Sequence, residues 1–295
     1  MKHKKQHFVP QSYLSAWCDP NTPPDQTPYV WIFTKDGAQS KRKAPENVFC
    51  ETDTYTIKSA DGSRDLWLEC GLCELESRFV CTRNNKISKE EALNQEEHLY
   101  LCAFMAAMLS RTKAQREHHK AQWGGFLKVL DEMIENRRKE NPNARIILDR
   151  LPADHNERSF TYADVKEAAE KPLQTLMSPL ISAMTPKLLR LDYYAIFTTD
   201  VAPGFITSDN PCNWYDSKWQ ELPPMWQNQP LLRKSTEISL PISPKQLVCL
   251  NLSGMQGYIK ADDKIVNEAN ARTRFNALEY FVVNANIKKD EWFVE

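Results

Sequence analysis

The amino-acid sequence predicts an α+β fold, with central helices packed against a mixed or antiparallel sheet that draws strands from both ends of the chain. Three observations lead there. Residues 29–34 and 52–57 are rich in aromatic and β-branched side chains, and each run meets a turn signal, Asp36-Gly37 and Ala60-Asp61-Gly62. From Arg64 onward the apolar period is that of a helix. After residue 191 short segments of β formers return, and strands, then helices, then strands again suggest one sheet shared by the N-terminal and C-terminal segments.

Pro10 suits the first turn of a short helix, on which Tyr13, Leu14 and Trp17 share a buried face; the Pro-rich residues 20–28 end it. Leu68, Leu72, Leu75 and Phe79 lie on one face of a first long helix. A second, from about Lys89, carries Leu101, Phe104 and Met108 and is expected to continue, kinked near Gly124-Gly125, as far as Lys139, before Asn141-Pro142-Asn143 stops it. Residues 145–160 read as a polar connection. Thr161 with Asp164 resembles a helix N-cap, and Pro172, Pro179 and Pro186 divide the next stretch of chain into short pieces. Strands are expected at 193–198, 204–207, 237–240, 246–250 and 280–283, with a helix around 265–275. There is no internal repeat, and the expectation is a single compact domain over 1–295: a small sheet and N-terminal motif in 1–62, a helical part in 63–190 and a sheet-rich part in 191–295.

A chain of 295 residues can bury ~75% of its unfolded surface, and 41% apolar with 26% charged residues is the composition of a folded globular protein. The longest uncharged apolar run, 102–109, falls far short of the ~18 residues a membrane helix needs. The charged first six residues lead into no apolar segment of a signal peptide, so a cytoplasmic location is expected. Eight scattered cysteines read as reduced thiols. The net charge of -1 gives no global attraction for nucleic acid. Two short basic runs, residues 2–5 and Lys41-Arg42-Lys43, are either solvated surface or local phosphate-binding patches.

The opening His7-Phe8-Val9-Pro10-Gln11-Ser12-Tyr13-Leu14, with Trp17 after it, resembles the signature opening of a bacterial family known as domain of unknown function 4238. The similarity continues through Pro45-Glu46-Asn47-Val48 and Tyr55, through residues 111–116, and through Thr207-Ser208-Asp209-Asn210-Pro211. It ends with Leu240-Pro241-Ile242-Ser243-Pro244 and Val266-Asn267-Glu268-Ala269-Asn270. The resemblance implies a stand-alone bacterial protein of accessory or mobile-element type. Where Lys113 stands, the family more often has a proline.

His7 and Gln11, four apart across Pro10, place two polar side chains together beside an apolar face, where His7 can serve as metal ligand or general acid/base and Gln11 as an orienting group. Alternatively both anchor the N-terminal segment to backbone groups. Arg111 shares the helical stripe of Phe104 and Met108, which carries its guanidinium inward, to a phosphate or to a structural partner, Glu69 or Glu76. Arg116 faces solvent or a cleft edge. Residues 207–211 sit where a strand ends, and Ser208, Asp209 and Asn210 either build an Asx-type turn or present a reactive carboxylate with ligand-binding neighbours. Cys70, Cys73 and Cys81 lie within one periodic helix with no second ligand pair, so zinc is not expected. P-loop, Rossmann, zincin and α/β-hydrolase motifs are absent.

The leading functional expectation is a metal-dependent phosphodiester hydrolase of nuclease type. His7 and Asp209 would be its catalytic groups and the ligands of a divalent cation such as magnesium or manganese, and Gln11, Arg111, Arg116, Ser208 and Asn210 would bind a nucleic acid or nucleotide. One aspartate is thin for such a site, and Glu69 or Glu76 would have to contribute. The alternative is a non-catalytic module binding a nucleotide, peptide or protein; a third is that all these groups are structural. Convergence of His7, Asp209 and Arg111 on one open cleft separates catalysis from structure.

Overall fold

The computed structural model describes residues 5–58, 64–141, 161–218 and 233–293; the expected turn at 60–62, the polar connection 145–160 and the basic residues 2–4 lie outside them. The chain opens with a strand, β1 (Lys5–His7), and a helical turn, α1 (Gln11–Leu14), that runs into a 3-10 turn over Ser15–Trp17. Val9, Tyr13, Leu14 and Trp17 are completely buried, as their spacing requires. Next come β2 (Val30–Thr34), β3 (Ser40–Lys43), a 3-10 turn at Pro45–Asn47, β4 (Cys50–Thr52) and the two-residue strands β5 (Ile57–Lys58) and β6 (Arg64–Asp65). β1 pairs antiparallel with β4. The strand expected over 52–57 is broken at Asp53, whose φ of 57° does not fit a ladder.

The helices are α2 (Trp67–Asn85), α3 (Gln95–Ser110), α4 (Lys113–Glu140), α5 (Tyr162–Glu170) and α6 (Pro172–Leu189). α3 starts later than expected, at a capping box of Asn94 and Glu97. The second helical run breaks at Arg111-Thr112, where the Thr112 hydroxyl accepts the Gln115 N–H at 3.3 Å and caps α4, which then passes unbroken through Gly124 and Gly125. α6 is likewise one helix. Its internal Pro179 and Pro186 are both exposed and seven residues apart, so the hydrogen bonds they remove lie on one solvent-facing side.

β7 (Tyr193–Thr198), β8 (Thr207–Ser208), β9 (Asn213–Asp216), β10 (Thr236–Ser243), β11 (Gln246–Asn251) and β12 (Gly257–Lys260) precede α7 (Asp263–Asn276) and β13 (Tyr280–Val283). One sheet has the order β12-β7-β11-β10-β9, antiparallel except for β12 on β7. The other, β3-β2-β13-β8, joins N-terminal and C-terminal segments, so the expected α+β arrangement is what the chain forms. The main core lies among α1, α2, α3, α6 and β10–β11, with Phe79 and Phe104 stacked at 3.8 Å.

Tyr13 ties the N-terminal turn to both sheets. Its hydroxyl lies 2.7 Å from Thr207 Oγ1 and donates to the Pro241 carbonyl at 2.5 Å, while Trp17 Nε1 donates to the Phe205 carbonyl at 2.8 Å. Tyr13→Phe keeps the ring and strands buried acceptors, so urea denaturation is expected to show a loss of about 1–3 kcal/mol.

Candidate functional site

β1 lays His7 opposite Cys50 of β4, and the extended Pro10 (ψ 140°) then turns the chain into α1. Gln11 and Ser12 thereby join His7 around one space. Glu69 and Glu76, two turns apart on α2, close a second side, and Arg111, from the α3–α4 junction, a third. The cavity so formed measures about 410 Å³. Gln6, buried beneath it, is fully used: its amide donates to Glu69 at 2.7 Å and Thr56 at 3.1 Å, and its carbonyl accepts the Tyr55 N–H at 2.6 Å.

Three side-chain atoms around this cavity are buried without a protein partner: His7 Nε2, Ser12 Oγ and Arg111 Nε. Buried polar atoms are ordinarily paired, so the gathering of three unpartnered ones beside one cavity makes it the candidate site. The His7 ring hydrogen-bonds the Glu46 backbone carbonyl. Because Nε2 has no partner, that bond falls to Nδ1, which fixes the tautomer with a lone pair on Nε2. Burial holds the pKa of His7 below its ordinary 6.5; the Glu46 bond opposes this and the Arg111 charge reinforces it. The imidazole is therefore neutral at pH 7. Beside it Phe49 adopts φ 52°, a costly conformation for a bulky residue; its ring packs on Phe8 at 5.7 Å and its carbonyl accepts the Phe8 N–H at 2.9 Å.

Arg111 is almost wholly buried. Nη1 donates to Glu76 Oε1 at 2.7 Å, Nη2 donates to the His7 carbonyl at 2.5 Å, and the guanidinium lies 5.6 Å from the centre of the Tyr55 ring. Glu76, one of the two internal partners expected, thus takes the charge, and Glu69 goes to Gln6. The cavity assembles a neutral imidazole, the unpartnered Nε–H of a fixed cation, a hydroxyl, an amide and a carboxylate, which is a set able to bind an oxyanion and move a proton next to it.

Asp209 is not part of this set. It lines a different cavity, and its carboxylate accepts three consecutive backbone N–H groups, Leu278 at 2.7 Å, Glu279 at 2.7 Å and Tyr280 at 3.0 Å. Burial raises its pKa while those bonds pull it down. A carboxylate so engaged holds the α7–β13 turn and has little capacity left for a metal or nucleophilic work. Ser208 is inaccessible within β8; its hydroxyl accepts the Asn210 N–H at 3.1 Å. Asn210 is bonded to Thr112 and to the Asn276 carbonyl, and Arg116 is paired with Glu51 and Glu117. The expected convergence of His7 and Asp209 on one cleft is thus replaced by two neighbouring cavities, with Arg111-Thr112 between them: Arg111 reaches the His7 carbonyl and Thr112 reaches Asn210. Among the described residues no three His, Cys, Asp or Glu side chains form a metal-binding group, and Cys70, Cys73 and Cys81 are exposed on α2. No described helix is long and apolar enough to cross a membrane. Ser12, Gln6 and the Glu46 carbonyl were not singled out from sequence; Ser12 stands inside the opening motif, between Gln11 and Tyr13.

Fold and cavity together define an α+β protein with two larger, mostly antiparallel sheets and a polar cavity open to the surface beside its N-terminal ribbon. The chain belongs to the family described as protein of unknown function DUF4238, whose sequence model matches residues 5–286. No curated protein and no solved structure matches it.

Two substitutions test these assignments. Asp209→Asn replaces an accepting oxygen with an amide facing N–H donors, and a loss of roughly 1.5–3 kcal/mol is expected in chemical denaturation; unchanged stability would free Asp209 for another role. Arg111→Ala leaves the Glu76 carboxylate without its partner and is expected to cost about 3–5 kcal/mol, read as a lowered melting temperature.

Proposed function

We propose that the His7–Arg111 cavity binds a phosphate ester and that the protein is a phosphodiester hydrolase of nuclease type. The observation that carries this reading is the pair of unpartnered buried atoms at one cavity, the Nε2 lone pair of a neutral His7 and the Nε–H of a fixed Arg111. His7 Nε2 takes the proton of the attacking water or hydroxyl, and Glu46 holds its ring against reorientation. Arg111 Nε donates to a phosphoryl oxygen; its other two nitrogens are already anchored, so no reorganisation accompanies the growth of negative charge. Gln11 and Ser12 supply further hydrogen bonds to the ester. A divalent cation, magnesium or manganese, would have Glu69 as its carboxylate donor here, because Glu76 is committed to Arg111 and the His7 Nε2 lone pair serves as the base.

A second reading, a module that binds a nucleotide without reacting, is favoured by the same commitment: Arg111 ties both Nη1 and Nη2 to the protein, and Nε is its one nitrogen without a partner. The two part on His7. Purified protein is incubated with single- and double-stranded DNA and RNA in magnesium, manganese or chelator. Cleavage is expected for the wild type, with a loss of about 10²-fold or more in His7→Gln, which retains the backbone carbonyl that Arg111 uses. The sign of the pH dependence follows from the depressed pKa: the base is competent when neutral, so the rate holds above pH 6.5 and falls only below it, and the variant lacks this acid limb. Absence of cleavage in every condition selects the binding module; equal cleavage by the variant removes His7 as the base.

A further inference from the structure

β3 forms an edge of the four-stranded sheet, and all four of its side chains, Ser40 to Lys43, are exposed. Lysine on an edge strand is in itself a common guard against aggregation. Here the surroundings go further. Lys41 and Lys43, on the same side of the strand, line a cavity of about 220 Å³ together with Lys113 and Tyr280. The carboxylates of that cavity besides Asp209 are already neutralised, Glu279 by Lys113 at 2.5 Å and Glu51 by Arg116, whereas neither Lys41 nor Lys43 has an acidic partner among the described residues. The Lys41 ammonium lies 5.4 Å from the centre of the Tyr280 ring. Arg42 lies over Tyr29 at 5.1 Å and over Trp31 at 5.8 Å.

The strip also adjoins the candidate site. β3 leads into the Pro45–Asn47 turn, whose Glu46 carbonyl holds the His7 ring and whose Asn47 side chain accepts from Lys5, a residue that lines the His7 cavity. A polymer lying along β3 is therefore delivered to the turn that orients His7.

We infer that β3 and the cavity beside it are a docking strip for single-stranded nucleic acid, a reading that rests on the phosphodiester function for the identity of the polymer. Lys41 and Lys43 stand two residues apart, about 6.6 Å along a strand, commensurate with successive phosphates of an extended chain. Arg42 points to the other side of the edge strand, where its guanidinium plane, backed by two aromatic rings, suits a base that folds across the sheet edge. A duplex would need a broader positive face than three adjacent cations on a chain of net charge -1 provide.

The test measures fluorescence anisotropy of labelled oligothymidine and oligouridine with phosphorothioate linkages, so that binding is read without cleavage. Wild type is expected to bind both, with affinity falling between about 50 and 200 mM salt. The triple variant Lys41→Ala/Arg42→Ala/Lys43→Ala, all exposed positions, is expected to melt as wild type does, to bind at least tenfold more weakly at the lower salt, and to lose about 1.4 units of the slope of log affinity against log salt, for its two phosphate contacts. Equal binding by the variant, no salt-dependent binding by the wild type, or a preference for duplex of the same sequence overturns the inference. Where the inference is overturned, His7-dependent cleavage of a short dinucleotide would show that the strip alone has failed; loss of His7 dependence with binding intact would show that the cavity reading has.

Discussion

The buried charge of Arg111 is the constraint on which the local architecture depends. A guanidinium cannot shed its proton, so a chain that buries one has to bring acceptors to it. Three segments comply: α2 with Glu76, β1 with the His7 carbonyl, and the residues after β4 with the Tyr55 ring. The need is felt in the helix as well. Arg111 sits at the C-cap of α3, with φ -100° and ψ -5°, and Thr112 immediately begins a new helix, so the guanidinium occupies the corner between two helices.

A buried anion mirrors it. Asp209 answers three consecutive N–H groups at the start of β13, where α7 has ended at Ala277 and the ladder has yet to take over. The two centres are connected, since Thr112 Oγ1 meets Asn210 Oδ1 at 3.2 Å. A cation corner and an anion corner, each tied to its own set of partners, thus pin the N-terminal ribbon, the helical layer and the mixed-origin sheet to one another.

How far the sequence reveals this depends on whether each signal is local. The long helices are legible because their apolar period is, and Glu76 is legible as a partner of Arg111 because it repeats Glu69 at two turns on a face that must meet α3. β1, β9 and β12 escape notice because each has only three or four residues and owes its existence to a distant partner. Asp209 is misjudged for a related reason: a carboxylate in a small polar run looks the same whether it faces a substrate or three N–H groups seventy residues away. The breaks at Asp53 and Glu90, and the turn at Phe49, depend on positive φ angles in non-glycine residues, which composition does not announce.

What separates the His7 cavity from the Asp209 corner is satisfaction. Around Asp209 both carboxylate oxygens meet donors; around His7, three buried polar atoms meet none and depend on whatever enters the cavity, solvent or ligand. Each such atom costs about 1–3 kcal/mol when left bare, and a domain of this kind is stable by only about 5–15 kcal/mol. Phe49, in its left-handed conformation beside the same ribbon, adds about 1–3 kcal/mol more. The neighbouring Asp209, with a fully engaged carboxylate, carries no such cost itself. Both buried charges hold the fold, then, but only the Asp209 centre does so with every side-chain oxygen engaged, and the Arg111 centre leaves Nε and its two polar neighbours without partners.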